Sequence, residues 1–248
     1  MIDLHSHIIP GIDDGPGNLT QSLKLVQKYS EAGYHRVVAT PHWISGSPWM
    51  PAPELIKSKI GHLNQAIQNE GVDLTVFPGM EVAMDAQIGA LLDTGRLQTL
   101  ADKSYVLVET PFQRLPWGWK DLFFDIMSRG YRILLAHPER CGQIAARPKL
   151  CNEILASGVY LQINWISFLG FYGREVEKLV RYMAKNGYIH CLATDSHDTR
   201  ARHPGRVKHA QDIVENLIGK DNTTLLARRN PARVFEDKPL ISMNEHLK

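Results

Sequence analysis

The sequence predicts an α/β protein built on parallel strands, and three observations lead there. Short β-branched apolar runs alternate with longer amphipathic segments from one end of the chain to the other. Several of the amphipathic segments stop at a glycine, where a helix C-cap favours one, and an apolar run follows each. The length of 248 residues suits one large domain, and α/β barrels commonly run to about 250 residues.

The first apolar run, residues 2–5, precedes a helical pattern over 19–32 that closes at Gly33. A strand is expected at 36–40, a helix at 53–69 before Gly71, and a strand at 74–78. Strands at 105–109 and 132–136 flank a helix at 121–128 that ends before Gly130. Gly158 leads into a strand at 160–164, and a helix at 174–185 with Gly187 leads into the last strand at 190–194. A helix at 204–217 follows, and the more polar tail from about Asp221 is expected to pack outside. These are seven strands. With no low-complexity linker, composition shift or short-period repeat, residues 1–248 read as a single domain.

A chain 44% hydrophobic and 22% charged excludes disorder. The net charge of +2, without a run of like charges, offers no footprint for a nucleic-acid backbone or an anionic membrane. No apolar run approaches the roughly 20 residues of a transmembrane segment, and the start Met1-Ile2-Asp3-Leu4-His5 lacks the features of a signal peptide. Cys141, Cys151 and Cys191 lack C-x-x-C spacing, so a reducing cytoplasm is the expected location. The eleven histidines stand out.

Their placement carries the chemistry. Barrel enzymes assemble their sites at the C-terminal strand ends. Here those ends carry D-L-H-S-H (Asp3, His5, His7), T-P-H (His42), P-G-M-E (Glu81), V-E-T-P (Glu109), A-H-P-E-R (His137, Arg140), Q-I-N (Gln162, Asn164) and T-D-S-H-D (Asp195, Ser196, His197). Residues i and i+2 of a strand share a side, so His5 and His7 can both face inward, as can Asp195 and His197. Imidazoles with carboxylates and no thiolates suit Zn, Mn or Fe. His5, His7, His42, Glu81, Glu109, His137, Asp195 and His197 with one of Asp13 or Asp14 supply nine ligands, enough for two or three ions if a carboxylate is shared. An isolated histidine at a strand end is usually a surface or hydrogen-bonded core residue, and His35, His62, His190, His203, His209 and His246 are assigned to that reading.

D-x-H-x-H at the N-terminus, T-P-H, G-x-E, H-P-E-R and D-x-H, in this order over essentially the whole chain, resemble the polymerase-and-histidinol-phosphatase (PHP) superfamily of metal-dependent phosphoesterases. Within it, H-S-H-I-I-P-G-I-D-D-G and H-P-E-R resemble the bacterial metal-dependent protein-tyrosine phosphatases encoded with capsule and exopolysaccharide machinery. The resemblance implies a distorted seven-stranded (β/α) TIM-like barrel, the PHP fold. It further implies one ion held by His5, His7, Glu81 and Asp195, a second by Glu81, Glu109 and His137, and a third by Asp14, His42 and His197. Asp14 is preferred to Asp13, with Gly15 permitting the turn. Arg140 and Arg202 match phosphate-binding arginines, although Arg200 and Arg206 compete with Arg202, and Asp198 stands where relatives often carry Asn. Asp3 is expected to orient a ligand histidine from behind.

Three divalent ions would bring about +6 against about −4 from the ligand carboxylates, leaving a positive site for an anion. Manganese is the first expectation, with iron, zinc or cobalt as alternatives. The implied reaction is attack of a metal-activated hydroxide on phosphotyrosine, whose phenolate leaves with a pKa of about 10. The implied partner is a phosphotyrosine protein, by analogy an autophosphorylating bacterial tyrosine kinase that regulates capsular or exopolysaccharide synthesis. Aromatic stretches at 43–49, 112–119 and 165–172 favour a protein substrate, with Trp117, Trp119 and Trp165 as candidate contacts; their packing in a lid or a subunit contact is the plainer reading.

Three rivals follow. Cys141 and Arg147 form C-x5-R, the spacing of cysteine-dependent tyrosine phosphatases, but the preceding residue is Arg140 and Pro148 follows directly. A small-molecule phosphatase acting on histidinol phosphate shares the expected fold. A non-catalytic metal-binding module would have lost ligands, and here every expected position keeps a suitable residue. The oligomeric state is left open.

Overall fold

The computed structural model describes residues 1–243, so His246 lies outside the described residues. Among the described residues there are nine strands: β1 (Ile2–Ser6), β2 (Arg36–Ala39), β3 (His42–Trp43), β4 (Thr75–Pro78), β5 (Glu81–Ala83), β6 (Tyr105–Glu109), β7 (Arg132–Ala136), β8 (Tyr160–Asn164) and β9 (Cys191–Ala193). They pair in parallel as two sheets, ordered β1-β2-β4 and β3-β5-β6-β7-β8-β9. The expected distorted seven-stranded barrel is therefore corrected: among the described residues the strands number nine and do not pair into one closed ring.

Local chemistry explains the difference. The second and third expected strands each break before reaching their ligand. Pro41 has no N–H to give the ladder. At Gly79 a Cβ would lie 2.6 Å from Val38 Cγ1, so only glycine allows the close approach there. Beyond the breaks the chain resumes pairing in the second sheet, with His42 opposite Glu81. The sheets approach again where Ser6 forms an isolated parallel bridge with Ser196.

The helices are α1 (Leu19–Glu31), α2 (Pro53–Asn69), α3 (Ile88–Asp93), α4 (Trp119–Ser128), α5 (Gly142–Ala146), α6 (Leu150–Ala156), α7 (Arg174–Lys185), α8 (Val207–Ile218), α9 (Lys220–Thr224) and α10 (Asn230–Phe235). In α1, Asn18 caps the first turn by accepting from the Gln21 N–H at 3.0 Å, and Leu25, Val26 and Tyr29 are buried. Among the described residues no helix is long and apolar enough to cross a membrane.

Strand alternation sorts side chains to two cores. Val106, Val108, Ile133 and Leu135 join the large apolar cluster that includes residues from the helices. Tyr105, Leu107, Leu134 and Cys191 form a smaller cluster with Leu4 and Val38. The tail expected outside is part of this second core: Val234 of α10 and Leu240 pack into it. Its polar composition hid a few well-spaced apolar anchors. Continuing the small-core face toward the C-terminal strand ends reaches Glu109, two residues past Leu107, and Gln162 and Asn164 beyond Tyr160.

Candidate metal centre

At those ends the histidines and carboxylates converge. A bulge places one extra residue on β1 between Asp3 and Ser6 relative to β2. Leu4 enters the small core, and His5 next to it reaches the cluster. His5 Nε2 lies 3.2 Å from His7 Nε2, 3.3 Å from Glu81 Oε2 and 3.4 Å from Asp195 Oδ1. His7 Nε2 is 3.3 and 3.5 Å from the same two oxygens. Ligand atoms about 2.1 Å from one ion are separated by roughly 3.0 Å at adjacent octahedral positions and roughly 3.4 Å at tetrahedral ones. His5, His7 and Glu81 are thus spaced as donors to a common cation, with Asp195 Oδ1 about equally near the two imidazoles.

Glu81 also faces His137, with Oε1 2.8 Å from its Nε2, and His42, with Oε2 3.0 Å from its Nδ1. Glu109 Oε2 lies 4.0 Å from His42 Nδ1. On the other side, Asp14 Oδ1 is 3.5 Å from His42 Nε2 and 3.2 Å from His197 Nε2. The groups able to share an ion are His5, His7 and Glu81; His5, His137 and Asp195; His42, Glu81 and Glu109; and His7, Asp14, His42 and His197. His42 therefore stands between two groups, and His137 groups with His5 and Asp195 rather than with Glu109.

The residues fit cations by a second criterion. Glu81 Oε2, Asp195 Oδ1, His42 Nδ1 and His197 Nε2 are buried without hydrogen-bond partners. Burying unpaired polar atoms of this kind costs several kcal/mol unless a charge compensates them, on the order of 1–3 per group. The ring nitrogens facing away from the cluster are held in place: His5 Nδ1 is 2.8 Å from Gln162 Oε1, His7 Nδ1 2.7 Å from Asp13 Oδ2 and His197 Nδ1 3.0 Å from the Asp195 carbonyl. Asp13 therefore backs His7 while Asp14 faces the cluster. Gly15 makes this loop possible, since a Cβ there would lie 2.1 Å from the His7 carbonyl oxygen.

Several sequence expectations are corrected. Asp3 does not back a histidine: it accepts from the Tyr29 hydroxyl at 2.8 Å and the Thr194 N–H at 3.0 Å, tying β1 to α1 and β9. The bulge accounts for this, because Asp3 and His5 no longer share a face. Trp165 is 1% exposed and belongs to the large core, so it cannot grip a substrate. Trp117 is fully exposed, and with Trp119 it lines a separate cavity of ≈ 340 Å³ beside Met84 and Asp85. The aromatics at the cluster are others. Trp49 stacks on His42, with ring centroids 5.2 Å apart, and Phe112 and Tyr172 sandwich the Arg140 guanidinium at 4.5 and 4.4 Å.

Gln162 and Asn164 were visible in the sequence only as the strand end without an imidazole or carboxylate. They complete a chain from His5 through Gln162 and Asn164 to Asp195, the last two contacts both at 2.8 Å. Glu139 Oε1 accepts from the Asn164 N–H and the Ser167 hydroxyl at 3.0 and 2.7 Å. Their i, i+2 spacing at a C-terminal strand end was the available signal. Arg202 Nη2 reaches Asp195 Oδ2 at 2.6 Å and Arg140 Nη1 the same oxygen at 3.5 Å, whereas Arg206 lies over Phe171. His137 and Asp195 both have left-handed backbones, φ 31° and 50°, a conformation that costs about 1–3 kcal/mol at a non-glycine residue and recurs at functional sites.

The C-x5-R pair is taken apart by the fold. Cys141 is buried in the large core, and Arg147 turns outward to Glu153 at 2.9 Å. Replacing Cys141 by serine is expected to leave phosphatase turnover within about twofold of the parent at matched metal content, since a group remote from reacting atoms contributes little. Complete loss of turnover in a folded Cys141→Ser protein would restore the cysteine mechanism.

The imidazoles and carboxylates of the cluster shift one another's pKa values. Burial disfavours charge on His42, but the Asp14 and Glu81 carboxylates beside it outweigh this and raise its pKa to about 9. Burial and the Glu81 charge push Glu109 up to about 7. Burial opposes the charged forms of Glu81 and Asp195 as well, yet the surrounding imidazoles, and for Asp195 also the Arg202 guanidinium, hold both well below the usual carboxylate range. Ligands bind metal deprotonated, so a cation taken up through His42 would have to displace its proton below about pH 9. Apparent affinity for Mn²⁺ is therefore expected to rise with pH from 6 to 9. Calorimetric titrations at pH 7 in buffers of different ionisation enthalpy should report at least about one proton released per chain; no release would overturn this.

Comparison with known proteins places the chain. The family model for capsular polysaccharide synthesis, CpsB/CapC, matches residues 1–236. The chain belongs to the CpsB/CapC family. Among CpsB/CapC relatives, it is 30% identical to the tyrosine-protein phosphatase YwqE of Bacillus subtilis (strain 168), over 96% of this chain and 95% of that one. It is 26% identical to the tyrosine-protein phosphatase CpsB of Streptococcus pneumoniae, over 96% and 99%. A chain from the crystal structures of YwqE and CpsB, described as unique metal-dependent tyrosine phosphatases, superposes with a TM-score of 0.93 at 27% identity, covering 99% of this chain and 98% of that one. A histidinol phosphate phosphatase from Lactococcus lactis, crystallised with zinc, L-histidinol and phosphate, shares the fold at a TM-score of 0.58 and 15% identity, over 92% and 96%.

Proposed function

We propose that this chain is a metal-dependent protein-tyrosine phosphatase, and that residues 1–248 form one phosphoesterase domain whose two sheets are a distorted, interrupted (β/α) barrel. The observation that carries the reading is the set of buried, unpartnered donor atoms on His42, Glu81, Asp195 and His197, in a chain matched end to end by tyrosine phosphatases. His5, His7, Glu81 and Asp195 would hold one ion, Glu81 with Glu109 and His137 a second, and Asp14, His42 and His197 a third. Manganese is the metal proposed. Such ions, when bound, supply a water acidic enough to ionise near neutral pH and positive charge opposite the phosphoryl oxygens.

The chain's own groups do the rest. Arg140 and Arg202 converge on Asp195 Oδ2, so their free N–H groups are placed to receive phosphoryl oxygens as a fork. The Phe112–Tyr172 sandwich fixes the plane of Arg140 and offers aromatic surface to a phenyl ring. Gln162 and Asp13 keep His5 and His7 oriented with their Nε2 atoms inward. We place the protein in the cytoplasm, a reading supported by three unpaired, buried cysteines, with an autophosphorylated tyrosine kinase of polysaccharide synthesis as its substrate. The test is hydrolysis of a phosphotyrosine peptide and of histidinol phosphate by the purified protein before and after chelation. Preference for the peptide, lost with EDTA and regained with Mn²⁺, supports the proposal; activity in metal-stripped protein or preference for histidinol phosphate rejects it.

A further inference from the structure

A cleft of ≈ 560 Å³ opens beside the cluster, between the loop carrying Asp14 and the loop that follows β9. Asp14 and His197 belong both to its wall and to the histidine cluster, so whatever occupies it lies next to the reacting group. A sphere of that volume is about 10 Å across, the length of roughly three extended residues.

The charged side chains of this cleft differ in how they are engaged. Four charged side chains line it: Asp14, Lys24, Asp198 and Arg200. The Asp14 carboxylate is engaged by His42 and His197. Asp198 turns into its own loop, accepting from the N–H groups of Arg200 and Ala201 at 2.5 and 2.6 Å and of Arg202 at 3.4 Å. Both carboxylates are therefore engaged by partners other than Lys24 and Arg200. Lys24 and Arg200 are exposed, and the ion pairs found among the described residues include neither. The charged groups left for an incoming chain to pair with are the two cations.

We propose that this cleft is a specificity subsite for an anionic group one or two residues from the phosphotyrosine, recognised by Lys24 and Arg200. The inference rests on the phosphatase reading and adds to it the kind of sequence that is cleaved. The anion is supplied by an acidic side chain or by a second phosphotyrosine, which present the same chemistry to a lysine and an arginine.

The test compares kcat/KM for otherwise identical phosphotyrosine peptides flanked by alanine, glutamate, lysine or a second phosphotyrosine. Exposed ion pairs contribute factors of about two to five each, so an anionic flank should raise kcat/KM over alanine by about threefold to tenfold, and lysine should lower it. The glutamate and second-phosphotyrosine arms identify which anion is preferred. In Lys24→Ala/Arg200→Ala the ratio should fall to about one, and in Lys24→Glu/Arg200→Glu it should invert in favour of lysine. Equal turnover of all flanks by the parent, or an anion preference that survives in the double variants, overturns the subsite while leaving the phosphatase reading intact. Failure to hydrolyse any of the peptides with metal present overturns both.

Discussion

Replacing Glu81 by glutamine is expected to reduce turnover of a phosphotyrosine peptide by about a thousandfold or more. Residues that merely support a ligand typically cost about 10–100-fold in metal affinity or activity when changed. Glu81 stands a step closer. Its two oxygens lie within 2.8–3.3 Å of four imidazoles, those of His5, His7, His42 and His137. An amide in its place keeps the volume but removes the charge and turns one acceptor into a donor. Metal content after desalting should therefore drop, and the stabilisation that metal confers should go with it. For the parent protein that stabilisation is about 4 kcal/mol at a free metal concentration about 1,000 times Kd, roughly 8–16 °C in Tm for a chain of this size. Thermal unfolding with and without Mn²⁺ reads this directly. The metal-free variant should still melt cooperatively, because the two apolar cores do not involve Glu81. A Glu81→Gln protein that keeps its metal and more than about a tenth of its turnover would remove Glu81 from the centre of the site.

The site was more legible in the sequence than the strands that carry it. Histidines and carboxylates at successive strand ends are visible in one dimension because the parallel fold gathers every such end on one face. Strands such as β6, β7 and β8 were legible because their burial on both faces selects unbroken apolar, β-branched runs. Where the backbone departs from regular pairing, the pattern fell silent. Thr40-Pro41 and Gly79 interrupt two strands just before His42 and Glu81, and the bulge in β1 leaves no mark in composition. That bulge alone decided the fate of Asp3, which simple alternation would have set on the side of His5 and His7. Trp165 failed for a related reason. It begins a 3₁₀ turn, Trp165–Leu169, whose buried side chains pack inward, and residue type cannot show which way a turn faces. The backing contacts of Gln162 and Asn164 depend on distances between β8, β1 and β9, which only the tertiary structure brings together.

Arg140 and Arg202 support the second large prediction: each alanine variant should lose about 10²–10³-fold in kcat/KM, the scale set by removing one preorganised donor from a developing anion. The two arginines should fail differently when changed to lysine. Arg202 reaches Asp195 Oδ2 at 2.6 Å and is largely buried, so its loss also leaves a buried carboxylate short of a partner. Part of its effect should therefore appear as weaker metal retention. Arg140 stands further off at 3.5 Å, held instead between the rings of Phe112 and Tyr172. Stacking and a planar fork are properties of guanidinium that an ammonium lacks. Arg140→Lys should consequently be nearly as impaired as Arg140→Ala at full metal content, with inhibition by inorganic phosphate weakened in parallel. A lysine variant near parental activity would mean that charge alone is sufficient at this position and that the aromatic sandwich serves packing rather than orientation.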